Sequence, residues 1–240
     1  MISFNREQEP EIYGKTLWMN PQIEFAIGKN IVEYDMQSAS LSVSRRYKLL
    51  PEELIERLER MPKDKRTKEV GLMQRHDQEF SENMIKGLLQ TRKEFLMKNM
   101  LTEDDVITLH SDAVIFIQKR PITDKISGVP FIMKNQWSSY IRYDRLEMFY
   151  GDGEVTYKGI PKQMLQQHTL GMCQYILNVF TKLECRDDSL YNDICMFQKK
   201  YLQEKLPEYY YIPFGKTGEW KGENLKFLAF MAQVIQSELR

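Results

Sequence analysis

Apolar and polar positions alternate along IVEYDM, residues 31–36, with Ile31, Glu33 and Asp35 on one face and Val32, Tyr34 and Met36 on the other. A period of two predicts a half-buried strand. The thirty residues before it hold two Pro and two Gly and read as an extended or loosely structured lead. After Ser38, Ser40 and Ser42, the stretch LLPEELIERLERM puts Pro51 at a helix start, acids in the first turn, and Leu54, Ile55 and Leu58 along one side, which predicts a helix. A base-rich segment at 63–78 leads into a second helical pattern over 80–100, with Met84, Leu88, Phe95 and Leu96 at helical spacing and Ser81 as its cap. Two apolar runs, Val106 to Leu109 and Ala113 to Ile117, flank His110, Ser111 and Asp112; they predict a β-hairpin with an aspartate at its tip. GDG at 151–153 predicts a tight turn between strands. From Pro161 the pattern is mostly helical, with KQMLQQHTLGMCQYILNVFTKLE and LKFLAFMAQVIQSELR as packing helices. Between them, Leu206 to Trp220 is an aromatic loop that either binds a partner or covers a helix end.

Composition narrows the class. With 240 residues, 42% of them hydrophobic and 12% aromatic, the chain can bury one sizeable core or two small ones, and it lacks the makeup of a disordered protein. The 34 basic and 34 acidic residues cancel, so contact with a polyanion depends on local clusters. Cys173, Cys185 and Cys195 form no CxxC pair, which argues against a disulfide framework and a zinc site and for a reducing, cytosolic compartment. No run of 18 apolar residues occurs, and the amino terminus has acids where a signal peptide is apolar, so the expectation is a soluble protein with no membrane partner.

Two strand ends therefore each present an isolated aspartate, Asp35 and Asp112. Carboxylates so placed can hold the pair of divalent ions used in phosphoryl transfer. YDMQSASLSV resembles motif A of family B DNA polymerases, DxxSLYPSI, with Asp35 at the metal-binding aspartate, Ser38 and Ser42 at the serines and Val43 at the final aliphatic. LHSDAVIF is similar to the motif C hairpin, YGDTDSVFV, with Asp112 at the second aspartate. Between them lies a helical, basic segment where that family has its fingers. After them, Tyr157, Lys158, Gly159 and Ile160 resemble the KGI segment near the primer-template duplex. The likeness covers about residues 30–165. It departs from the family at His110, Ala113, Ser40 and Leu41, and KDKRTKEVG keeps only Lys63, Thr67, Val70 and Gly71 of the fingers pattern.

The resemblance implies an α+β fold: a palm-like antiparallel sheet packed on helices over 31–160, a short fingers-like helical insertion at about 44–100, and a helical thumb-like or partner-binding region over 161–240. Asp35 and Asp112 would be catalytic and would bind two Mg²⁺ or Mn²⁺ ions. Ser38, Lys63, Arg66 and Lys68 would meet the nucleoside triphosphate, where Arg can engage phosphate oxygens bidentately; read alone, the basic run is better taken as a solvated face. Arg142, Tyr143, Arg145, Tyr157 and Lys158 interleave bases with aromatics, as a nucleic-acid groove with stacking does, and as exposed strand pairs also do. Glu33 is either a third carboxylate or a partner for a lysine. With only about thirty residues before Asp35, proofreading is not expected. A palm this small suggests one piece of a divided polymerase or replication complex, in a bacterial or phage-infected host cytoplasm. The alternatives are a non-catalytic, polymerase-derived nucleic-acid-binding scaffold and, behind it, an α+β interaction protein in which both aspartates are turn residues.

Overall fold

The computed structural model describes residues 11–212 and 220–238. The chain is α+β, with antiparallel pairing at each of the strand pairs described below. It divides into two compact units: Met1–Pro21 with Ile31–Gln136, and Gln22–Asn30 with Trp137–Arg240.

The first unit opens with a 3-10 turn, Glu11–Gly14, and strand β1, Trp18–Met19. It holds the end of β2, Phe25–Met36, then four helices: α1 Ala39–Tyr47, α2 Glu52–Glu59, α3 Lys63–His76 and α4 Gln78–Lys98. The hairpin of β3, Val106–Leu109, and β4, Ala113–Ile117, follows, with the short β5, Lys125–Ile126, and the start of β6, Val129–Tyr143. β4 lies between β3 and β2, and β1 pairs with β3. The strand is present, but it is buried on both faces and not half-buried: Ile31 and Asp35 are buried on one side, while on the other Val32 and Met36 join Phe95, Leu96, Val114 and Phe116 in one core, and the Tyr34 ring sits 5.8 Å from both Phe95 and Phe116. Helices α1 and α4 approach closely at Gly87, where an added Cβ would stand 2.6 Å from Val43 Cγ1.

Two further sequence expectations shift. Helix α4 starts at Gln78, capped by Asp77, whose side chain accepts from Phe80 N at 2.9 Å; an extended aspartate takes the cap four residues before Ser81 can. Strand β2 begins at Phe25, inside the expected lead, because Arg142 N donates to Glu24 O at 2.7 Å and Gly28 N to Ser139 Oγ at 3.3 Å. Such distant pairing leaves no local period to read. Residues 1–10 of that lead lie outside the described residues.

The second unit holds the start of β2 and the end of β6, followed by β7, Leu146–Gly151, and β8, Glu154–Lys158, as an antiparallel meander. The GDG turn is present, with Asp152 at φ 51° and Gly153 at φ 78°, the positive pair that a type I′ hairpin turn needs. Helices α5 Lys162–His168, α6 Met172–Glu184, α7 Leu190–Leu202 and α8 Trp220–Glu238 complete it. Ile141, Met148 and Tyr150 of the strands pack with Ile176, Phe180, Phe227 and Met231 of the helices. The helical run from 162 to 184 is broken at Gly171, whose added Cβ would lie 2.5 Å from the Tyr209 carbonyl oxygen. Of the aromatic loop, Glu208–Tyr211 forms a 3-10 turn, and 213–219 lie outside the described residues.

At the end of α5, His168 is 1% exposed, and burial lowers its pKa from the ordinary 6.5. The unfolded chain therefore binds a proton in a window below pH 6.5 where the folded chain does not. Stability from this residue is complete above that pH and is lost as pH falls through the depressed folded value. Between about pH 7.5 and about pH 5.5, the unfolding temperature should fall more for the wild type than for His168→Gln. Equal falls would show that His168 does not titrate with folding.

Candidate functional site

The pairing of β2 with β4 brings the main chain of Asp35 and Asp112 to neighbouring positions within the first unit. Register pairs Asp35 with Ala113 across β2 and β4, and Met36 N donates to the Asp112 carbonyl at 2.8 Å. The hairpin closes through His110 N to Ala113 O at 2.9 Å, which sets Asp112 in the turn. Asp35 is thus the next-to-last residue of β2, and Asp112 stands immediately before β4.

Their surroundings differ. Asp35 is 8% exposed, and its Oδ1 is buried with no hydrogen-bond partner. Its Oδ2 contacts Lys134 Nζ on β6. Asp112 is half-buried and lies near enough to Arg92 to favour the charged guanidinium, although burial pulls the Arg92 pKa down to about 10. Arg92 is wholly buried on α4 and donates to the carbonyls of His110 and Lys15. Glu33, on the face of Asp35, accepts from Asn135 Nδ2 at 2.6 Å. Among the described residues, no group of three or more His, Cys, Asp or Glu gathers as metal ligands.

Ser38 is the second residue of the turn between β2 and α1 and stands at the N-cap position of α1. It takes a left-handed φ of 47° and makes no side-chain cap bond, while its carbonyl accepts from Leu41 N and Ser42 N. Ser42 Oγ donates to Gln37 O at 2.7 Å. Both serines line a cavity of about 390 Å³ together with Arg45, Arg46 and Glu59. Those arginines are engaged by carboxylates: Arg45 with Glu52 at 2.7 Å and Glu59 at 2.8 Å, Arg46 with Glu94 at 2.7 Å. Lys63, Arg66 and Lys68 sit on α3, which buries only Val70, and none of the three lines this cavity.

The basic and aromatic residues of the second unit divide by role. The Tyr143 ring packs 5.3 Å from both Phe227 and Phe230 of α8. Tyr157 donates to Cys173 O at 3.5 Å, and burial raises its pKa well above the ordinary phenol value. Both rings make packing contacts within the second unit, and each residue is partly exposed. Arg142 stands opposite Glu147 across β6 and β7. Lys158 lies over the Trp137 and Phe149 rings, 5.6 Å from each, and Arg145 is exposed in the turn.

Arg92 and Lys134 were not legible as site residues. The one signal was Arg92 sharing a helix face with Leu88, Phe95 and Leu96, since a cation on an apolar stripe needs buried acceptors. Lys134 carried none, because its partner lies about a hundred positions away. A family model described as Bacteriophage PBS1 gene 130 protein matches residues 9–237. No curated protein matches the chain.

Proposed function

The chain belongs to the bacteriophage PBS1 gene 130 protein family, and we propose that it is a palm-type component of a template-directed nucleotidyltransferase. In this reading it acts on primer-template DNA and a nucleoside triphosphate, beside another polymerase or replication subunit, in the cytoplasm of the infected host. One observation carries the reading: strand pairing sets Asp35 beside the Asp112 turn, and Asp35 keeps a buried oxygen without a hydrogen bond. An orphaned, nearly anhydrous carboxylate oxygen fits a divalent cation. Asp35 and Asp112 would hold Mg²⁺ or Mn²⁺, which when bound activates an attacking hydroxyl and neutralises charge on the transferred phosphate.

The chain's own residues contribute position. The main-chain bond from Met36 N to Asp112 O fixes the spacing of the two strand ends, and Arg92 anchors the hairpin turn through the His110 carbonyl. The cavity beside Ser38 and Ser42 is large enough for part of a nucleotide, and its arginines would meet phosphate oxygens only by leaving Glu52, Glu59 and Glu94. Among the described residues no helix is long and apolar enough to cross a membrane.

A second reading, a non-catalytic nucleic-acid-binding scaffold, is favoured by the contact between Lys134 and Asp35, which balances the carboxylate without a metal. Primer extension separates the two. The protein, isolated with its partners from infected cells, should extend a labelled primer with Mg²⁺ or Mn²⁺, and Asp35→Ala and Asp112→Ala should each lower the rate by roughly 10³-fold or more. Undiminished extension by both variants would overturn the first reading. Template binding with no extension in any sample would establish the second.

A further inference from the structure

We propose that Lys134 is a built-in counter-ion that a divalent cation must displace from Asp35, so that its departure gates cation entry to the site. The inference rests on reading Asp35 and Asp112 as a cation site, and it holds whatever reaction that site performs.

Asp35 needs positive charge. It is 8% exposed, one carboxylate oxygen has no hydrogen-bond partner, and a carboxylate with so little water is costly unless paired. Lys134 meets that need through the other oxygen. Its hold is easily released. The Lys134 side chain is 52% exposed, and Ile132, Met133, Lys134, Asn135 and Gln136 are all exposed in sequence, so this stretch of β6 has solvent on both faces. A flexible, strongly hydrated ammonium can swing into that solvent without unpacking a neighbour.

The cation near Asp112 cannot do the same. Arg92 is wholly buried and tied to the carbonyls of His110 and Lys15. Of the two positive charges at the site, Lys134 is the movable one and Arg92 the fixed one. A hard divalent ion, which prefers carboxylate oxygens, would gain the vacated Oδ2 and the orphaned Oδ1 of Asp35 together. Lys134 is therefore a positioning residue: it holds the Asp35 carboxylate in place until the exchange, and it sets how tightly the exchange proceeds.

The test is Mn²⁺ titration of the full chain, following free Mn²⁺ by electron paramagnetic resonance, for wild type, Lys134→Met, Lys134→Gln and Asp35→Asn. Both Lys134 variants should bind Mn²⁺ at least about tenfold more tightly than wild type, the ratio that corresponds to about 1.4 kcal/mol, and Asp35→Asn should lose the binding. The rise in unfolding temperature on adding Mn²⁺ should also be larger in the Lys134 variants. Glutamine can still donate to Asp35, so Lys134→Gln provides a folded comparison if the methionine variant unfolds. Affinities equal to or below wild type in the Lys134 variants would overturn the gate and leave the cation site standing. Absence of Mn²⁺ binding in every protein would overturn both, independently of any primer extension result.

Discussion

Arg92→Ala is expected to cost about 3–5 kcal/mol of folding stability. Arg92 is the largest of the fully buried side chains among the described residues, and its guanidinium bonds two main-chain carbonyls from distant parts of the first unit, His110 and Lys15. Alanine would leave both acceptors without that donor and open a cavity beside Phe95 and Leu96 on α4. Each loss alone is worth about 1–3 kcal/mol. Arg92→Met separates them, since it restores much of the volume but neither bond, and Arg92→Lys restores the charge but cannot bridge both carbonyls with one nitrogen. Urea denaturation should rank the variants wild type, Lys or Met, then Ala. A cost below about 1 kcal/mol for alanine would show that the two bonds do not hold the hairpin turn. Because His110 is two residues from Asp112, the same variant should also change the backbone amide shifts of the turn.

Gly159→Ala is the second severe substitution. Gly159 has φ 82°, and an added Cβ would fall 1.8 Å from the Arg145 carbonyl oxygen and 2.8 Å from its carbon. Both atoms are backbone, so relief requires shifting either the β6 to β7 turn or the exit of β8. The left-handed conformation adds about 1 kcal/mol for a residue with a Cβ, and the overlap raises the total to roughly 3 kcal/mol or more. Loss of the cooperative unfolding transition of the second unit, or failure to accumulate as folded protein, is the expected outcome. A Gly159→Ala protein with wild-type melting would mean that the β6 to β7 turn yields freely. Gly28 offers the contrast: φ is 62° but nothing lies within 4 Å, so alanine there should cost only the conformational penalty of about 1 kcal/mol.

What could be read from the chain alone was whatever is local. The hairpin around Asp112 and the GDG turn each depend on residues within a few positions, and both are present. The seating of Asp35 beside that hairpin follows from the same short patterns once β2 and β4 pair. Groups held by distant partners were not legible. Lys134 stands in a stretch of β6 with no alternation, Arg46 pairs with Glu94 on another helix, and Tyr143 and Tyr157 look like surface aromatics until α8 and Cys173 are seen against them. The Lys63 to Lys68 run reads in the sequence as a basic segment leading into a helix at 80–100, whereas it opens a helix of its own, α3; exposure of Lys63, Lys65 and Lys68 follows from α3 burying only Val70, which a charge count does not reveal.

Strand β2 has a temporal consequence. Its first residues belong to the second unit, and their hydrogen-bonding partner is far along the chain: Gly28 and Ser139 are 111 positions apart. At a synthesis rate of about 5–20 residues per second, the ribosome needs roughly 6–22 s to make the partner after Gly28 is added. Over that interval Phe25 and Ile27, which pack on the second unit's core, have nothing of that core to cover them. A nascent chain of this protein therefore carries this strand uncovered while those 111 positions are made, which is when a chaperone or an early-folding partner would have most effect.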